Sequence, residues 1–476
     1  MEIRISIIIP VYNTEKWLRE CLDSIVNQIL PFDEVIIVND GSTDGSPAIC
    51  RFYADNYDFI KLIDQENQGV SVARNIGMQK VSYEYVMFLD SDDYLRIDAV
   101  MILKKLLEKA KYDAVFYDAD IHCMDGYEQI GRNIYDRSHS KLDGNMQKGL
   151  EYFFRCYPRD YVVSPCMAVY KKEIIDNEKI MFPENIYYED NYFSYKFLNH
   201  AQKVIHISEK LYQRRYRENS TMTSPFTEKK FVDFIKICGF IWTEIDKNIP
   251  CEMPEQRKIL FAFVCDDFVR ILKNYQTCLD QNIMIGGEAR NLLEQTAEEY
   301  LFIISKLVPN ILSLDLAMLN RILYAFHCMQ NWKIGWEMDL LHQINRIVDR
   351  QKSLYKNILQ ELPFGETGKT VGIYGTGKHT EGVLAIYQRV IGPICCNLIF
   401  IDSKKDDVIY QKRKLINYQK IKDMNFDMIV ISSFIYEREM IAYIREISSE
   451  VPVYTFYNQL NGDIFSEYKI FLGYCE

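Results

Sequence analysis

Three carboxylates fall within four residues at Asp90-Ser91-Asp92-Asp93, directly after the apolar run Tyr85 to Leu89. Like charges that close repel one another, and keeping them ionised is costly unless a cation sits among them. A hard divalent metal held by one or two carboxylates and by phosphate oxygens meets that demand, so the run reads as a metal-diphosphate site rather than a solvated acidic turn. Other polar residues occupy comparable places. Pro10-Val11-Tyr12-Asn13, Asn39-Asp40-Gly41-Ser42 and Asp64 each close a short apolar run. Singly, such residues are as readily turn formers; together they point to one edge of one sheet.

The elements that must carry them follow from periodicity. Ile5 to Ile9, Glu34 to Val38, Phe59 to Ile63 and Tyr85 to Leu89 read as buried strands. Between them, Trp17 to Val26, Ser42 to Tyr53 and Val70 to Lys80 keep helical spacing, the second opening on good amino-terminal caps. That rhythm predicts a doubly wound parallel sheet, in which ligands bind beyond the carboxyl ends of the strands. Met101 to Lys111 reads as a further helix, and Asp113 to about Ser224 mixes short strands with polar loops. From Phe226 to about Leu362 the pattern is helical, with Asp266 and Asp267 as solvated positions. A second α/β unit begins at Thr370 after the linker PFGETGK, with strands at Asn397 to Ile401, Asp427 to Ile431 and Val451 to Phe456 and a helix at Glu437 to Ile447. The expected division is 1–225, 226–365 and 366–476.

Composition bounds the function. With 476 residues, three domains are expected. A net charge of -11 speaks against a broad nucleic-acid surface. Thirteen scattered cysteines with no CxxC pair suit a reducing compartment better than a disulfide framework. The opening MEIRISIIIPVYN reads as a first strand, not an export signal, and Tyr300 to Leu319 is interrupted by Lys306, Pro309, Asn310 and Asp315, so it is no membrane span. The expectation is a cytoplasmic protein, with docking on the inner membrane face left open.

The blocks PVYN (Pro10 to Asn13), VNDGSTDGS (Val38 to Ser46), NQGVSVARNIGM (Asn67 to Met78), LDSDD (Leu89 to Asp93) and YYED (Tyr187 to Asp190) resemble, in order and spacing, the family-2 inverting glycosyltransferases of GT-A fold. The resemblance covers roughly the first half of the chain. It implies transfer of a sugar from a UDP-sugar donor to a hydroxyl of a glycan, lipid-linked or protein-linked acceptor, such as a surface polysaccharide or teichoic-acid-like polymer, with Mn2+ or Mg2+. By position, Pro10, Val11 and Asn13 would line the nucleotide pocket and Asp40 would accept a hydrogen bond from uracil. Asn67, Gly69 and Arg74 would lie near the donor. Asp90 would orient ribose and metal, Ser91 would lie near the donor, and Asp92 would be the direct metal ligand. Asp190 would be the general base that takes the acceptor's proton in a single in-line displacement, with Glu189 orienting hydroxyls. Alone, Arg74 reads as a helix-surface ion pair, and Glu189-Asp190 as an acidic helix cap. Arg215, Arg217 and Ser220 resemble the family's phosphate-closing segment and would bond phosphate oxygens; a solvated basic loop is the alternative.

In the carboxy-terminal unit Gly375-Thr376-Gly377 follows a strand and opens a helix, but Thr380 stands where a dinucleotide fingerprint has its third glycine, and Asp402 ends the next strand. The unit resembles Rossmann-like modules attached to bacterial sugar-processing and capsule enzymes. With the fingerprint incomplete, acceptor recognition, homo-oligomerisation or support of the helices is favoured over cofactor binding. Two rival functions stay open: a sugar nucleotidyltransferase, which would need a glycine-rich basic loop where PVYNTEKW stands, and a non-catalytic nucleotide-sugar-binding scaffold.

Overall fold

The structure is a computed structural model that describes residues 3–28, 33–123, 133–140, 142, 144–216, 224–249, 254–307, 316–331, 340–403, 408–433, 436–448, 450–456 and 471. The chain divides into two compact units, Met1–Ile249 with Asn274–Leu292, and Pro250–Lys273 with Leu293–Glu476.

The first unit is built on β1 (Ile5–Val11), α1 (Glu15–Val26), β2 (Glu34–Asp40), α2 (Ser46–Asn56), β3 (Ile60–Gln65), α3 (Val70–Lys80) and β4 (Tyr85–Phe88). There follow β5 (Tyr94–Leu95), α4 (Ala99–Lys109), β6 (Ala114–Cys123), α5 (Gly149–Cys156), β7 (Ala168–Lys171), α6 (Lys172–Asn177), α7 (Glu189–His200), β8 (Val204–Tyr216) and α8 (Glu228–Lys247). All eight strands form one sheet in the order β3-β2-β1-β4-β7-β6-β8-β5. The β3-β2-β1-β4 half is parallel, as expected from the alternating pattern. Beyond it the sheet is mixed, because β7 runs antiparallel to both β4 and β6. The strands between Asp113 and Ser224 therefore extend the parallel sheet. Every residue of β1 and β2 is buried, which is what a parallel strand covered on both faces requires.

One helix starts later than its caps suggested. Gly41 takes φ +68°, and a Cβ there would sit 2.6 Å from the Asn67 amide nitrogen, so the chain must turn before it can coil. Asp44 then serves two helices at once, accepting from the Ser46 amide at 2.9 Å and the Glu15 amide at 3.0 Å. Opposite, α3 lies so close on β1 that a Cβ on Gly77 would be 2.4 Å from an Ile8 methyl.

The long pair β6 and β8 is parallel but slips in register between Tyr117 and Ala119, where Tyr117, Asp118 and Ala119 face Ile207, Lys210 and Tyr212. The extra residues on β8 form a bulge.

The second unit contains most of α9 (Pro254–Asp280) and α10 (Gly287–Leu307), then α11 (Leu316–Asn331) and α12 (Leu340–Leu359). Asp266 and Asp267 are not solvated as expected: Asp266 pairs with Arg321, and Asp267 is 7% exposed. β9 (Thr370–Tyr374), α13 (Lys378–Val390), β10 (Asn397–Asp402), β11 (Val408–Tyr410), β12 (Arg413–Asn417), β13 (Met428–Ile431), α14 (Glu437–Ile447) and β14 (Val453–Thr455) build a six-stranded sheet ordered β11-β12-β10-β9-β13-β14. Only the edge strand β11 is antiparallel among the described strands. No helix among the described residues is long and apolar enough to cross a membrane.

Candidate active site

Because β3, β2, β1 and β4 are parallel neighbours, their carboxyl ends bring Gln65, Asp40, Val11 and, just past β4, Asp90 to one edge of the sheet. Pro10 and Val11 are buried at the end of β1, while Asn13 takes φ 51° and accepts from the Thr43 amide at 2.8 Å. The first two turns are thereby locked together.

Asp40 is 3% exposed and already well supplied with donors. Its Oδ1 accepts from Gln65 Nε2 at 2.7 Å and from the Gln68 amide at 2.8 Å, and its Oδ2 accepts from the Gly69 amide at 2.8 Å. These bonds explain why Gly69, which precedes α3, lies where it does; Asn67 abuts Gly41. Gln65 was missed in the sequence because glutamine at a strand end has no signature. Its Oε1 is buried without a hydrogen-bond partner among the described residues.

The acidic run splits by function. Asp93 turns into the protein, 3% exposed, accepting from Tyr212 Oη at 2.6 Å and the Arg215 amide at 2.7 Å. Burial, then the neighbouring Asp92, pushes its carboxyl up to about 7. Ser91 is also turned inward, accepting from Thr14 Oγ1 at 3.0 Å. Asp90 and Asp92 remain partly open. Two partly open carboxylates beside a third that is reluctant to ionise form an oxygen-rich, negatively strained corner that suits a hard cation. Among the described residues no three His, Cys, Asp or Glu groups converge as a ready-made cage. A metal here would have to draw further ligands from phosphate and water, as Mg2+ commonly does.

Arg74 joins this corner to α7. Its side chain is 6% exposed; Nη2 donates to Asp90 Oδ1 and Nη1 to Glu189 Oε1, both at 2.8 Å. It is no surface ion pair. The fork of a guanidinium can satisfy two carboxylates in one plane, which an ammonium cannot. Burial opposes charge on Asp90, yet Arg74 first and Arg214 next hold its carboxyl below the usual range. The neighbouring Asn75 fixes the chain under α7, exchanging hydrogen bonds of 2.9 Å with the backbone N and O of Phe182, whose ring stacks on Phe193 at 4.2 Å.

Glu189 and Asp190 open α7, where the helix dipole favours carboxylates. Tyr188 before them takes φ 67°, a conformation that costs a tyrosine energy and is held by the Tyr187 amide bonding Asp233 at 3.0 Å. Burial, followed by the adjacent Glu189, pushes the Asp190 carboxyl up to about 7, while Arg74 pulls it down. Its Oδ1 accepts from the Asn191 amide at 3.0 Å.

Arg215 departs from the expectation of a phosphate ligand. Its guanidinium donates to the Asp92 carbonyl at 2.7 Å, pairs with Glu20, and lies 4.5 Å over the Tyr94 ring. It therefore braces the acidic turn from behind. Its neighbour Arg214 lies with its guanidinium 5.0 Å over the Tyr135 ring, and its charge bears on Asp90, Asp93 and Asp190 together. Arg217 and Ser220 lie outside the described residues.

Residues 6–178 match the sequence profile of glycosyl transferase family 2. EpsH of Bacillus subtilis is 30% identical over 265 residues, which take in 55% of this chain and 74% of that protein. The chain belongs to glycosyl transferase family 2. The glycosyltransferase GlyA of Streptococcus pneumoniae is 34% identical over 235 residues, 48% of this family-2 chain and 32% of GlyA, so the shared region spans about a third of that relative. In fold, the chain is similar to residues 1–349 of Staphylococcus aureus TarS, solved in complex with UDP-GlcNAc. The TM-score is 0.54 at 20% identity, with 75% of this chain and 92% of that one covered. The likeness supports a GT-A sheet for this family-2 member.

Proposed function

We propose that the chain is a metal-dependent inverting glycosyltransferase that moves a sugar from a UDP-sugar to a hydroxyl of a surface polysaccharide, a teichoic-acid-like polymer or a protein-linked glycan. It would act in the cytoplasm, with 1–225 as the catalytic part and the helical and Rossmann-like parts appended. The observation that carries the reading is the Arg74 fork, which ties the acidic corner at Asp90 to the carboxylate pair at the start of α7. A donor site and a base belong within reach of one another in a single in-line displacement, and one buried side chain spans both.

Each residue then has a task that its chemistry supports. Asp40 and the unpartnered Gln65 Oε1 offer acceptors to the N–H of a uracil ring, with Pro10, Val11 and Asn13 forming the wall. Asp92, with Asp90, would hold Mn2+ or Mg2+, which when bound neutralises charge on the departing diphosphate. Arg214 adds a fixed positive charge to the same corner. Asp190 accepts the acceptor's proton; a carboxyl poised near 7 is matched to that work at neutral pH. Glu189, held by Arg74, orients hydroxyls beside it. The complex of TarS with UDP-GlcNAc supports the choice of a uridine donor.

The test is UDP release by the purified chain from a panel of UDP-sugars, with and without acceptor glycans, in Mn2+ and again in EDTA. Turnover of at least one UDP-sugar that stops in EDTA is expected. Saturable donor binding with no turnover under any condition would point to a scaffold and sink the catalytic reading.

A further inference from the structure

The second unit carries a crevice that the proposed transfer leaves unused. From β9 the chain passes through β10 to β12 on one side, then returns to β13 and β14 on the other, so the strand order reverses between β9 and β13. Right-handed crossovers from such an order send α13 and α14 to opposite faces, and open α/β sheets bind ligands beyond the carboxyl ends of the strands at such a reversal.

The lining of this cleft is built. Gly375, just past β9, takes φ +114°, and a Cβ on it would be 2.8 Å from the Ser432 carbonyl oxygen. A Cβ on Gly377, the residue before α13, would meet nothing within 4 Å among the described residues. The turn between them is clamped: Thr376 Oγ1 donates to Asp402 Oδ2 at 2.9 Å, Tyr410 Oη donates to the Thr376 carbonyl at 2.8 Å, and Thr380 Oγ1 donates to the Gly375 carbonyl at 2.8 Å. Ser432 is 2% exposed, and its hydroxyl has no hydrogen-bond partner among the described residues. Ile431 packs with Ile444 of α14, so alternation turns Ser432 to the other face, the one on which α13 begins. A buried hydroxyl left without a partner is uncommon, and this one lies beneath a glycine turn and a helix amino terminus.

In a dinucleotide fingerprint the first glycine makes the turn, the second lets pyrophosphate approach the backbone, and the third permits close helix-sheet packing. Here the first two are present. Thr380, fully buried, fills the third place and spends its hydroxyl on the turn, so only the packing glycine has been exchanged. At the other helix, the buried Glu437 in the first turn of α14 repels an anion, which leaves the α13 end to the phosphates.

We infer that the crevice at the ends of β9, β10 and β13 binds a ligand bearing a ribose and a pyrophosphate. The pyrophosphate lies on the Gly375 to Gly377 backbone and the amino end of α13, the ribose hydroxyls reach Asp402, and Ser432 Oγ gains its missing partner. This site is independent of the donor site assigned to the first unit.

Calorimetric titration of the full chain with ADP-ribose and with NAD+ tests it. Saturable binding of at least one is expected, weakened tenfold or more by Gly377→Asp and by Asp402→Ala and severalfold by Ser432→Ala. All three variants should keep the wild-type circular dichroism and the Mn2+-dependent turnover of a UDP-sugar. No saturable binding at millimolar ligand, or affinity unchanged in Gly377→Asp, would overturn the site; a loss in Gly377→Asp without one in Asp402→Ala would overturn the ribose assignment. Absence of UDP-sugar turnover by the wild type, with ADP-ribose binding retained, would count against the first-unit reading and not this one.

Discussion

Replacing Arg74 by methionine removes the one side chain that donates to both Asp90 and Glu189, at 2.8 Å each. Breaking a buried ionic network by removing one partner costs about 3–5 kcal/mol. Asp90 and Glu189 keep 28% and 14% of their side-chain exposure, and Arg214 still bears on Asp90, so about 3 kcal/mol is expected at pH 8. The loss should depend on pH, and its sign follows from Asp90. In the intact protein burial disfavours its charge, but Arg74 and Arg214 hold the carboxyl below its usual range. A depressed folded value contributes stability above the unfolded one, about 3.9, and loses it as pH falls through the folded one. Without Arg74 the carboxyl takes up a proton more easily, so the deficit should be smaller at about pH 5 than at pH 8. Urea unfolding of wild type and Arg74→Met at both pH values, followed by circular dichroism, measures the difference. Equal losses at pH 8 and pH 5 would refute the argument and assign the effect to the packing of Arg74 over Phe182, 5.2 Å away.

Other outcomes follow from the same geometry. Asp190→Asn should abolish transfer while leaving UDP affinity nearly intact in calorimetry, and equal turnover would remove Asp190 from the base role. Because burial and Glu189 raise Asp190 to about 7, the wild-type rate should climb with pH through that region as the base loses its proton; a flat profile from pH 6 to 8 would count against it. Asp92→Ala should weaken UDP binding in Mn2+ but not in EDTA, as read by titration under both conditions. Gly149→Ala would place a Cβ 2.1 Å from the Leu198 carbonyl oxygen of α7 and should lower stability by about 1–3 kcal/mol in urea unfolding.

Much of this was legible in the residues, and the exceptions share a cause. Val70 to Lys80 and Glu437 to Ile447 are helices with the bounds their periodicity gives, since amphipathic spacing is a local signal. The start of α2 was misplaced by four residues because Ser42 and Asp44 are both good caps, and only the Asn67 backbone beside Gly41 decides between them. The antiparallel half of the sheet escaped because pairings such as Tyr85 with Lys171 join residues far apart in the chain. At the site, carboxylates clustered after apolar runs announced themselves. The Arg74 fork did not, since its two partners lie 16 and 115 residues away. Arg214 and Arg215 are equivalent on paper, and which one faces the carboxylates depends on strand parity, which no local pattern records.

That parity is set upstream by the irregular pairing of Asp118 and Ala119 with Lys210 and Tyr212. Lengthening or shortening β8 by a single residue in that stretch would exchange the faces of the two arginines and take the Arg215 guanidinium away from the Asp92 carbonyl it braces. The strand should thus accept many changes of composition but none of odd length.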